Sequence, residues 1–235
     1  MIDLSCPKAL PPIWSEESDG IPEQVNVVCV FWGKKYPKYY IEKLRNGVNR
    51  NLSNTNYIFY CITDDEVPEG VTQLKPSNNW GTWWQKINLF NPEVVPIGLT
   101  LYIDLDSVIV GDLEDLLCQK SKFPIIMATN PSPTNRPICA HNSSVMLFES
   151  GDPRITKIYD NFKDNSNYIM KELHGDQCLI WRILINNIAN FPGNLVRSYK
   201  YHCRNKLPQG TSVVFFHGKP DPHEVNNNWV KKHWK

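Results

Sequence analysis

Two nearly continuous apolar segments constrain the fold of this chain more than any other feature. Residues 25–32 and 57–63 are rich in β-branched and aromatic side chains, a pattern typical of strands that are buried on both faces of a sheet. Between them, Pro37 suits a first helical turn and is followed by apolar residues at helical spacing, among them Ile41 and Leu44. This β-α-β order predicts parallel strands that are joined by a right-handed crossover.

The rest of the chain continues the alternation of strands and helices. We expect helices over residues 81–90, 153–162 and 176–184, and strands over residues 99–103, 124–129, 143–148 and 212–216. A length of 235 residues with 41% hydrophobic and 21% charged residues fits a single globular core. The prediction is an α/β fold, with a mostly parallel central sheet flanked by helices, in a single domain at 25–235. An irregular, proline-containing arm at 1–24 precedes it.

Charge and cysteine usage exclude several classes of protein. The 25 basic and 24 acidic residues nearly cancel and form no long basic stripe, which argues against a nucleic-acid partner. No signal peptide and no apolar stretch of transmembrane length is evident, and the seven scattered cysteines lack a Cys-x-x-Cys pair, so we expect a cytoplasmic protein with reduced thiols. The tail at 229–235 mixes tryptophan and lysine. Contact with an anionic membrane surface is the weaker interpretation of this tail, and a partly packed tail the preferred one.

An acidic pair follows the predicted strand at 99–103. Asp104 and Asp106 stand at its carboxyl end, the edge at which ligands bind in open α/β sheets. Two carboxylates one residue apart can hold a divalent cation that bridges pyrophosphate oxygens. The alternative is that the pair only terminates a strand. Asp112 and Asp115 are explained by a helix that begins there, as a cap and as a favourable charge at its amino end.

Residues 101–117 read Leu-Tyr-Ile-Asp-Leu-Asp-Ser-Val-Ile-Val-Gly-Asp-Leu-Glu-Asp-Leu-Leu. This run resembles the metal-binding segment of GT-A glycosyltransferases, particularly the glycogenin-like and galactosyltransferase-like family 8, and a weaker resemblance extends over about 25–220. It implies a GT-A, Rossmann-like fold and transfer of a sugar from a nucleotide-sugar, a UDP-sugar by analogy, to a saccharide or other acceptor. It also implies Mn²⁺ or Mg²⁺ as cofactor and retention of anomeric configuration.

Two further segments resemble parts of the family's sugar site. Asn142 and Ser143 are similar to the start of its sugar-lining strand, although an asparagine there also suits a hydrogen bond to backbone. Asp176 and Gln177 resemble its Asp-Gln pair, in which the carboxylate binds sugar hydroxyls and the amide lies beneath the reacting carbon. A helix cap is the alternative for Asp176, and inversion would follow if Asp176 acted as a base.

Basic and aromatic residues complete the implied site. By resemblance, His217 is the third metal ligand, Lys219 neutralises the diphosphate, and Lys86 contacts the donor. The alternatives are a structural histidine for His217 and, for Lys86, a helix whose tryptophans pack in the core while the lysine faces solvent. Trp80 is a candidate for stacking on an acceptor sugar.

The chain departs from the family pattern in two places. The first strand runs into Phe31-Trp32-Gly33-Lys34-Lys35-Tyr36 in place of an Asp-rich loop, so Trp32, Gly33 and, after the second strand, Asp64 are predicted to line the nucleotide without fixing its base. The spacing from His217 to Lys219 is tighter than in the family, which weakens the phosphate role of this lysine.

Three other functions compete with this interpretation. A haloacid-dehalogenase-like phosphatase would use Asp104 as nucleophile and Asp106 as acid, but its motif normally ends the first strand. A sugar-nucleotide pyrophosphorylase would need a glycine-rich loop where only Gly33 is present. A non-catalytic sugar-binding domain would bind sugar without metal.

Overall fold

A seven-stranded sheet forms the centre of the protein, in a computed structural model that describes residues 21–119, 123–132 and 140–235. A second sheet of three short strands lies beside it. In chain order the strands are β1 (Gln24–Val30), β2 (Asn56–Ile62), β3 (Thr72–Leu74), β4 (Gly98–Ile103), β5 (Ser107–Ile109), β6 (Ile125–Thr129), β7 (His141–Ser150), β8 (Ile188–Asn190), β9 (Val196–Ser198) and β10 (Val213–Phe215).

Helices cover both faces of the large sheet. The α-helices are α1 (Tyr39–Asn51), α2 (Glu114–Leu117), α3 (Pro153–Glu172), α4 (Asp176–Ile183) and α5 (Asn228–His233). Two 3₁₀ helices, Thr82–Phe90 and Pro222–Glu224, and one π-helical turn, Tyr199–Cys203, complete the elements of the described residues.

The large sheet has the strand order β3-β2-β1-β4-β7-β6-β8. Neighbouring strands are parallel except at β7, which is antiparallel to both β4 and β6. The predicted β-α-β start and the mostly parallel central sheet are confirmed. Since β1 and β4 are parallel neighbours, with Val27 beside Leu101, the loop after β1 and the acidic pair after β4 emerge at the same edge.

The core is divided by the sheet into two layers. Val27 and Cys29 of β1 point to one side, where they join Ile41 and Leu44 of α1. Val28, between them in sequence, points to the other side, which is covered by the long 3₁₀ helix, α3 and α4. This burial of both strand faces explains why β1 is an almost unbroken apolar run rather than an alternating one.

The structure corrects several element boundaries. The helix expected at 153–162 continues as α3 to Glu172 across a non-helical Asn165 (φ −134°, ψ 19°). The strand expected at 212–216 is β10, which belongs to the small sheet, where it pairs with β5 and β9. Of the predicted arm at 1–24, residues 1–20 lie outside the described residues.

The C-terminal segment packs against α1. Trp234 lies edge-on to Tyr40 with 5.0 Å between ring centroids, and the Arg50 guanidinium donates hydrogen bonds to the backbone carbonyls of His233 and Lys235. The preferred interpretation, a partly packed tail, is therefore confirmed, and nothing in this packing supports the membrane contact. Within the described ranges, no helix has the length and apolar character needed to cross a membrane.

Candidate functional site

The acidic pair lies where the chain leaves the large sheet for the small one. The Asp104 amide donates a hydrogen bond to the Ser144 carbonyl of β7 at 2.8 Å, which extends the β4–β7 pairing by one residue. Ser107, which begins β5, donates its amide to the Asp104 carbonyl at 3.0 Å. This tight turn holds Asp104 and Asp106 at the carboxyl edge of the large sheet, and the Asp106 residue is only 6% exposed.

Lys86 points into this edge rather than toward solvent. Its Nζ lies 3.1 Å from Asp104 Oδ1, 3.6 Å from Asp176 Oδ2 and 3.2 Å from Ser143 Oγ. The solvent-facing alternative for Lys86 is therefore wrong, although Trp84 of the same helix does pack in the core. Lys86, Asp104, Asp106 and Asp176 are called the carboxylate cluster below.

The carboxylates keep the lysine charged. Burial lowers the pKa of the Lys86 ammonium, but the negative charges of Asp104 and Asp176 outweigh burial, so the pKa lies above its ordinary value. Lys86 therefore remains an ammonium at neutral pH and links the end of β4 to the first residue of α4.

Two tyrosines that sequence reasoning missed donate hydrogen bonds to the acidic pair. The Tyr36 hydroxyl donates to Asp106 Oδ2 at 2.6 Å, and the Tyr102 hydroxyl donates to Asp104. Tyr36 follows the first strand, and Tyr102 lies two residues before Asp104 on the same side of β4. The period-two alternation of β4 was the available signal for Tyr102.

The environment of Asp106 opposes its negative charge. Burial, and then the charge of Asp104, raise the pKa of Asp106 to about 7, although the Tyr36 hydrogen bond and the Lys35 ammonium at 4.0 Å act in the opposite direction. A buried carboxylate next to another carboxylate is stabilised by any added cation.

The predicted sugar-site residues lie around the same edge. Asp176 is the first residue of α4, is 6% exposed, and has an Oδ2 atom that no hydrogen bond satisfies among the described residues. Gln177 is half-buried beside it. Asn142 Oδ1 accepts a hydrogen bond from the Ser144 amide at 2.9 Å, so the backbone role expected as the alternative is present, and Ser143 contacts Lys86.

His217 and Lys219 have local partners instead. Phe215 of β10 pairs with Ser107, which brings the segment after β10 close to the acidic pair. The His217 Nε2, however, shares a hydrogen bond of 2.9 Å with Ser198 Oγ, and the Lys219 ammonium lies 2.7 Å from both Asp221 and Glu224 carboxylate oxygens. The structure thus does not bring these two side chains onto the acidic pair.

The donor atoms of the carboxylate cluster fit a hard divalent cation, although a complete ligand set is not assembled. Across 21–119, 123–132 and 140–235, no group of three or more His, Cys, Asp or Glu side chains is arranged to hold a metal ion. Lys86 nevertheless pairs with both Asp104 and Asp176, and Asp106 has only the largely exposed Lys35 ammonium at 4.0 Å, so three carboxylates face two ammonium groups. Carboxylate oxygens in such an excess suit Mn²⁺ or Mg²⁺.

The predicted nucleotide loops lie at the same edge of the sheet. The Phe31 amide donates to the Ile62 carbonyl at 3.0 Å, so the chain segments that follow β1 and β2 start side by side. Gly33 has a φ of +67°, a conformation that favours glycine, and Asp64 is exposed while Trp32 is half-buried. These three residues remain predictions as nucleotide contacts.

The tryptophans near the site have different environments from those expected. Trp80, the predicted acceptor-stacking residue, packs edge-on against Phe162 with ring centroids 4.9 Å apart and joins the core under α3. Trp83 is 56% exposed instead.

Comparison with solved structures identifies the fold. The galactosyltransferase LgtC, solved in complex with donor and acceptor sugar analogs, matches with a TM-score of 0.61 and 12% identity over 84% of this chain and 88% of LgtC. The glycosyltransferase GlyE of Streptococcus pneumoniae TIGR4 matches with a TM-score of 0.61 and 15% identity over 86% of this chain and 56% of GlyE. The bifunctional glycosyltransferase WbbM matches with a TM-score of 0.58 and 12% identity over 95% of this chain and 52% of WbbM.

These similarities confirm the predicted GT-A glycosyltransferase fold. The chain spans most of LgtC but only about half of the GlyE and WbbM chains. No protein-family model matches the sequence, and no curated protein matches it significantly.

Proposed function

We propose that this protein is a metal-dependent glycosyltransferase that transfers a sugar from a UDP-sugar to a saccharide acceptor. The observation that carries the proposal is the carboxylate cluster at the carboxyl edge of a GT-A sheet, whose three carboxylates have one largely buried ammonium, Lys86, and one exposed ammonium, Lys35, as partners. The charge excess of this cluster calls for a cation, and its place at that edge is where nucleotide ligands bind in open α/β sheets.

Asp104 and Asp106 are the residues that would hold the metal. A divalent cation bound there would supply Lewis acidity and neutralise the charge of a diphosphate leaving group. Tyr36 and Tyr102 fix the orientation of the two carboxylates by hydrogen bonds, as outer-shell groups do at metal sites. We assign the third ligand position to His217, which would exchange its Ser198 hydrogen bond for the metal.

Lys86 and the residues of α4 are assigned to the transferred sugar. Asp176 carries an Oδ2 atom without a hydrogen-bond partner in the described part of the chain, so it can accept hydrogen bonds from sugar hydroxyls. Lys86 holds this carboxylate against the end of β4 and keeps it oriented. Gln177, the next residue, is placed beneath the anomeric carbon.

The reaction that we propose retains anomeric configuration. The bond between the anomeric carbon and the diphosphate oxygen breaks, and its electron pair leaves with UDP. The acceptor hydroxyl oxygen forms a bond to the anomeric carbon on the same face, and its proton passes to the departing diphosphate oxygen. The same-face route needs no carboxylate nucleophile, and we assign Asp176 to the sugar hydroxyls rather than to the anomeric carbon.

The similarity to LgtC supports the substrate class. LgtC shares the fold over 88% of its chain and was solved with donor and acceptor sugar analogs. A fold accommodates many substrates, so the support for sugar transfer comes from the fold together with the carboxylate cluster at the corresponding type of edge.

Hydrolysis of nucleotide-sugars tests the proposal without knowledge of the acceptor. Release of the nucleoside diphosphate from a panel of UDP-, GDP- and ADP-sugars would be measured with Mn²⁺ or with EDTA for the native protein, Asp106→Asn and Asp112→Asn. Asp112 is the matched control because its exposed carboxylate only caps the Glu114 amide of α2.

We expect UDP release that requires Mn²⁺, that is lost in Asp106→Asn and that is kept in Asp112→Asn. Release that is insensitive to EDTA, or that is equal in both variants, would contradict the proposal. Hydrolysis of p-nitrophenyl phosphate that depends on Asp104, without cleavage of any sugar donor, would show a phosphatase instead.

A further inference from the structure

Trp83 stands out among the aromatic residues of the site. It is the most exposed aromatic side chain in the described part of the chain, at 56%. A single exposed aromatic residue needs no functional explanation. Three features of its surroundings, however, connect Trp83 to the carboxylate cluster.

The first feature is the helix that carries it. Trp83 and Lys86 are three residues apart on a 3₁₀ helix, in which side chains at this spacing are eclipsed on one face. Lys86 ends between Asp104 and Asp176, with a side chain that is 12% exposed. The Trp83 side chain therefore lies on the same face as Lys86, one helical turn or about 6 Å away along the helix axis.

The second feature is the contact with the start of α4. A Cβ atom placed on Gly175 would lie 3.8 Å from the indole nitrogen of Trp83. Gly175 directly precedes Asp176, so the indole edge rests on the backbone that leads into the sugar-binding carboxylate. The exposed indole therefore lies beside the residue that precedes Asp176 of the cluster.

The third feature is the backbone that positions the ring. Gly81 and Thr82, directly before Trp83, both have positive φ values, +68° and +51°. Such a φ is unfavourable for a β-branched residue, and local backbone strain of this kind concentrates at ligand sites. Nine residues is also long for a 3₁₀ helix, which points to a constraint on this segment.

We propose that Trp83 is the stacking platform for a pyranose ring of the acceptor. The apolar C–H face of a sugar ring packs on a flat indole face, and the hydroxyls at its edge remain free for polar partners such as Asp176. The inference rests on the proposed function and extends it, because it assigns the acceptor a saccharide chemistry and a side of the site, between Trp83 and α4.

Fluorine NMR of protein labelled with 5-fluorotryptophan tests the platform directly. The Trp83 resonance is assigned by its loss in Trp83→Phe. Methyl β-D-galactopyranoside, methyl α-D-glucopyranoside, lactose and maltose are then titrated, first alone and then with UDP and Mn²⁺. Ile97→Ala is the matched control, because Ile97 is an apolar side chain with 77% exposure that precedes β4 at the opposite edge of the sheet.

We expect at least one of these saccharides to shift the Trp83 resonance in a saturable manner. Calorimetry then gives the affinity for that saccharide in variants that lack the Trp83 resonance, and we expect it to fall about tenfold in Trp83→Ala, less in Trp83→Phe, and not at all in Ile97→Ala. The inference is overturned if none of the saccharides shifts this resonance, or if Trp83→Ala binds them as tightly as the native protein.

The UDP titration separates this inference from the proposed function. If UDP with Mn²⁺ does not bind but saccharides still shift the Trp83 resonance, the glycosyltransferase proposal fails and the platform stands. If UDP binds and no saccharide shifts the Trp83 resonance, the inference about Trp83 is wrong and the glycosyltransferase proposal stands.

Discussion

The carboxylate cluster and the segment after β10 both contain residues that the sequence assigned to the site, yet their structures differ. In the cluster, Lys86 lies between Asp104 and Asp176, which are far apart in sequence, and all three side chains are largely buried. After β10, His217 pairs with Ser198, and the exposed Lys219 ammonium pairs with the buried Asp221 and with Glu224. The contacts of the cluster join three largely buried side chains, whereas those of the second region involve the half-buried His217 and the exposed Lys219.

The physical cause of the difference is the position of each residue relative to the large sheet. The ends of β4 and of the 3₁₀ helix are fixed by a packed core, so their charges meet in a medium of low polarity, where electrostatic interactions are strong. Lys219 is 67% exposed, and water competes with its carboxylate partners. We therefore expect mutations in the cluster to affect both stability and ligand binding, and mutations after β10 to affect stability much less.

Replacement of Lys86 by methionine gives the largest expected effect. Loss of the buried ammonium leaves Asp104 and Asp176 without their cation, which is expected to lower the free energy of unfolding by about 3–5 kcal/mol. Urea unfolding at pH 7.5 without added metal measures this change in the free energy of unfolding. Lys219→Met is the matched control and should lower the midpoint much less, because its ammonium is exposed to water. Equal losses in the two variants would contradict the difference between the two regions.

Removal of the Tyr36 hydroxyl tests the hydrogen bond that it donates to Asp106 of the cluster. Tyr36→Phe leaves Asp106 Oδ2 without its donor, and we expect a loss of about 1–2 kcal/mol in the free energy of unfolding. The experiment belongs at pH 8, because burial raises the pKa of Asp106 to about 7 and the carboxylate is charged above that value.

Tyr57→Phe provides the comparison, since the Tyr57 hydroxyl donates to the exposed Asn49 side chain. That variant should retain native stability. A Tyr36→Phe protein as stable as Tyr57→Phe would show that the hydrogen bond to Asp106 has no energetic consequence.

Ser198→Ala tests whether His217 is available to a metal. Removal of the hydroxyl frees Nε2, and Mn²⁺ affinity in the presence of UDP should rise by no more than about fivefold, the equivalent of one ordinary hydrogen bond. Electron paramagnetic resonance of free Mn²⁺ gives this affinity. His217→Ala should lower it, and an unchanged value in both variants would mean that His217 is not a ligand.

The smallest expected effect is at the start of the 3₁₀ helix. Thr82→Gly relieves a β-branched residue from a φ of +51° and should raise the free energy of unfolding by about 0.5–1 kcal/mol. Asn186, the other non-glycine residue with positive φ in the described chain, tolerates this conformation better, so Asn186→Gly should change stability less. Thermal unfolding followed by circular dichroism compares the two variants.

The sequence predicted the large sheet well because its strands are buried on both faces. The apolar runs at β1, β2 and β4 needed no knowledge of tertiary contacts, and they placed Asp104 and Asp106 at the correct edge. The three-residue strands β3, β5, β8 and β9 were missed, since three residues give no measurable periodicity.

The environments of single side chains were harder to predict. Lys86 and Trp83 share a face of the 3₁₀ helix, but the sequence alone did not show that Lys86 would be largely buried and Trp83 exposed. The partner of His217 depends on the parallel pairing of β9 with β10, a tertiary contact that sequence patterns do not reveal. For the same reason Tyr36 was counted only as part of a loop.

Titration of UDP into the protein by calorimetry, with Mn²⁺ or with EDTA, tests the central claim most directly. We expect native protein to bind UDP only with Mn²⁺, and Asp106→Asn to lose this binding while Asp112→Asn keeps it. UDP binding of equal affinity in EDTA, or in Asp106→Asn, would show that the carboxylate cluster does not hold a metal for a nucleotide and would contradict the account.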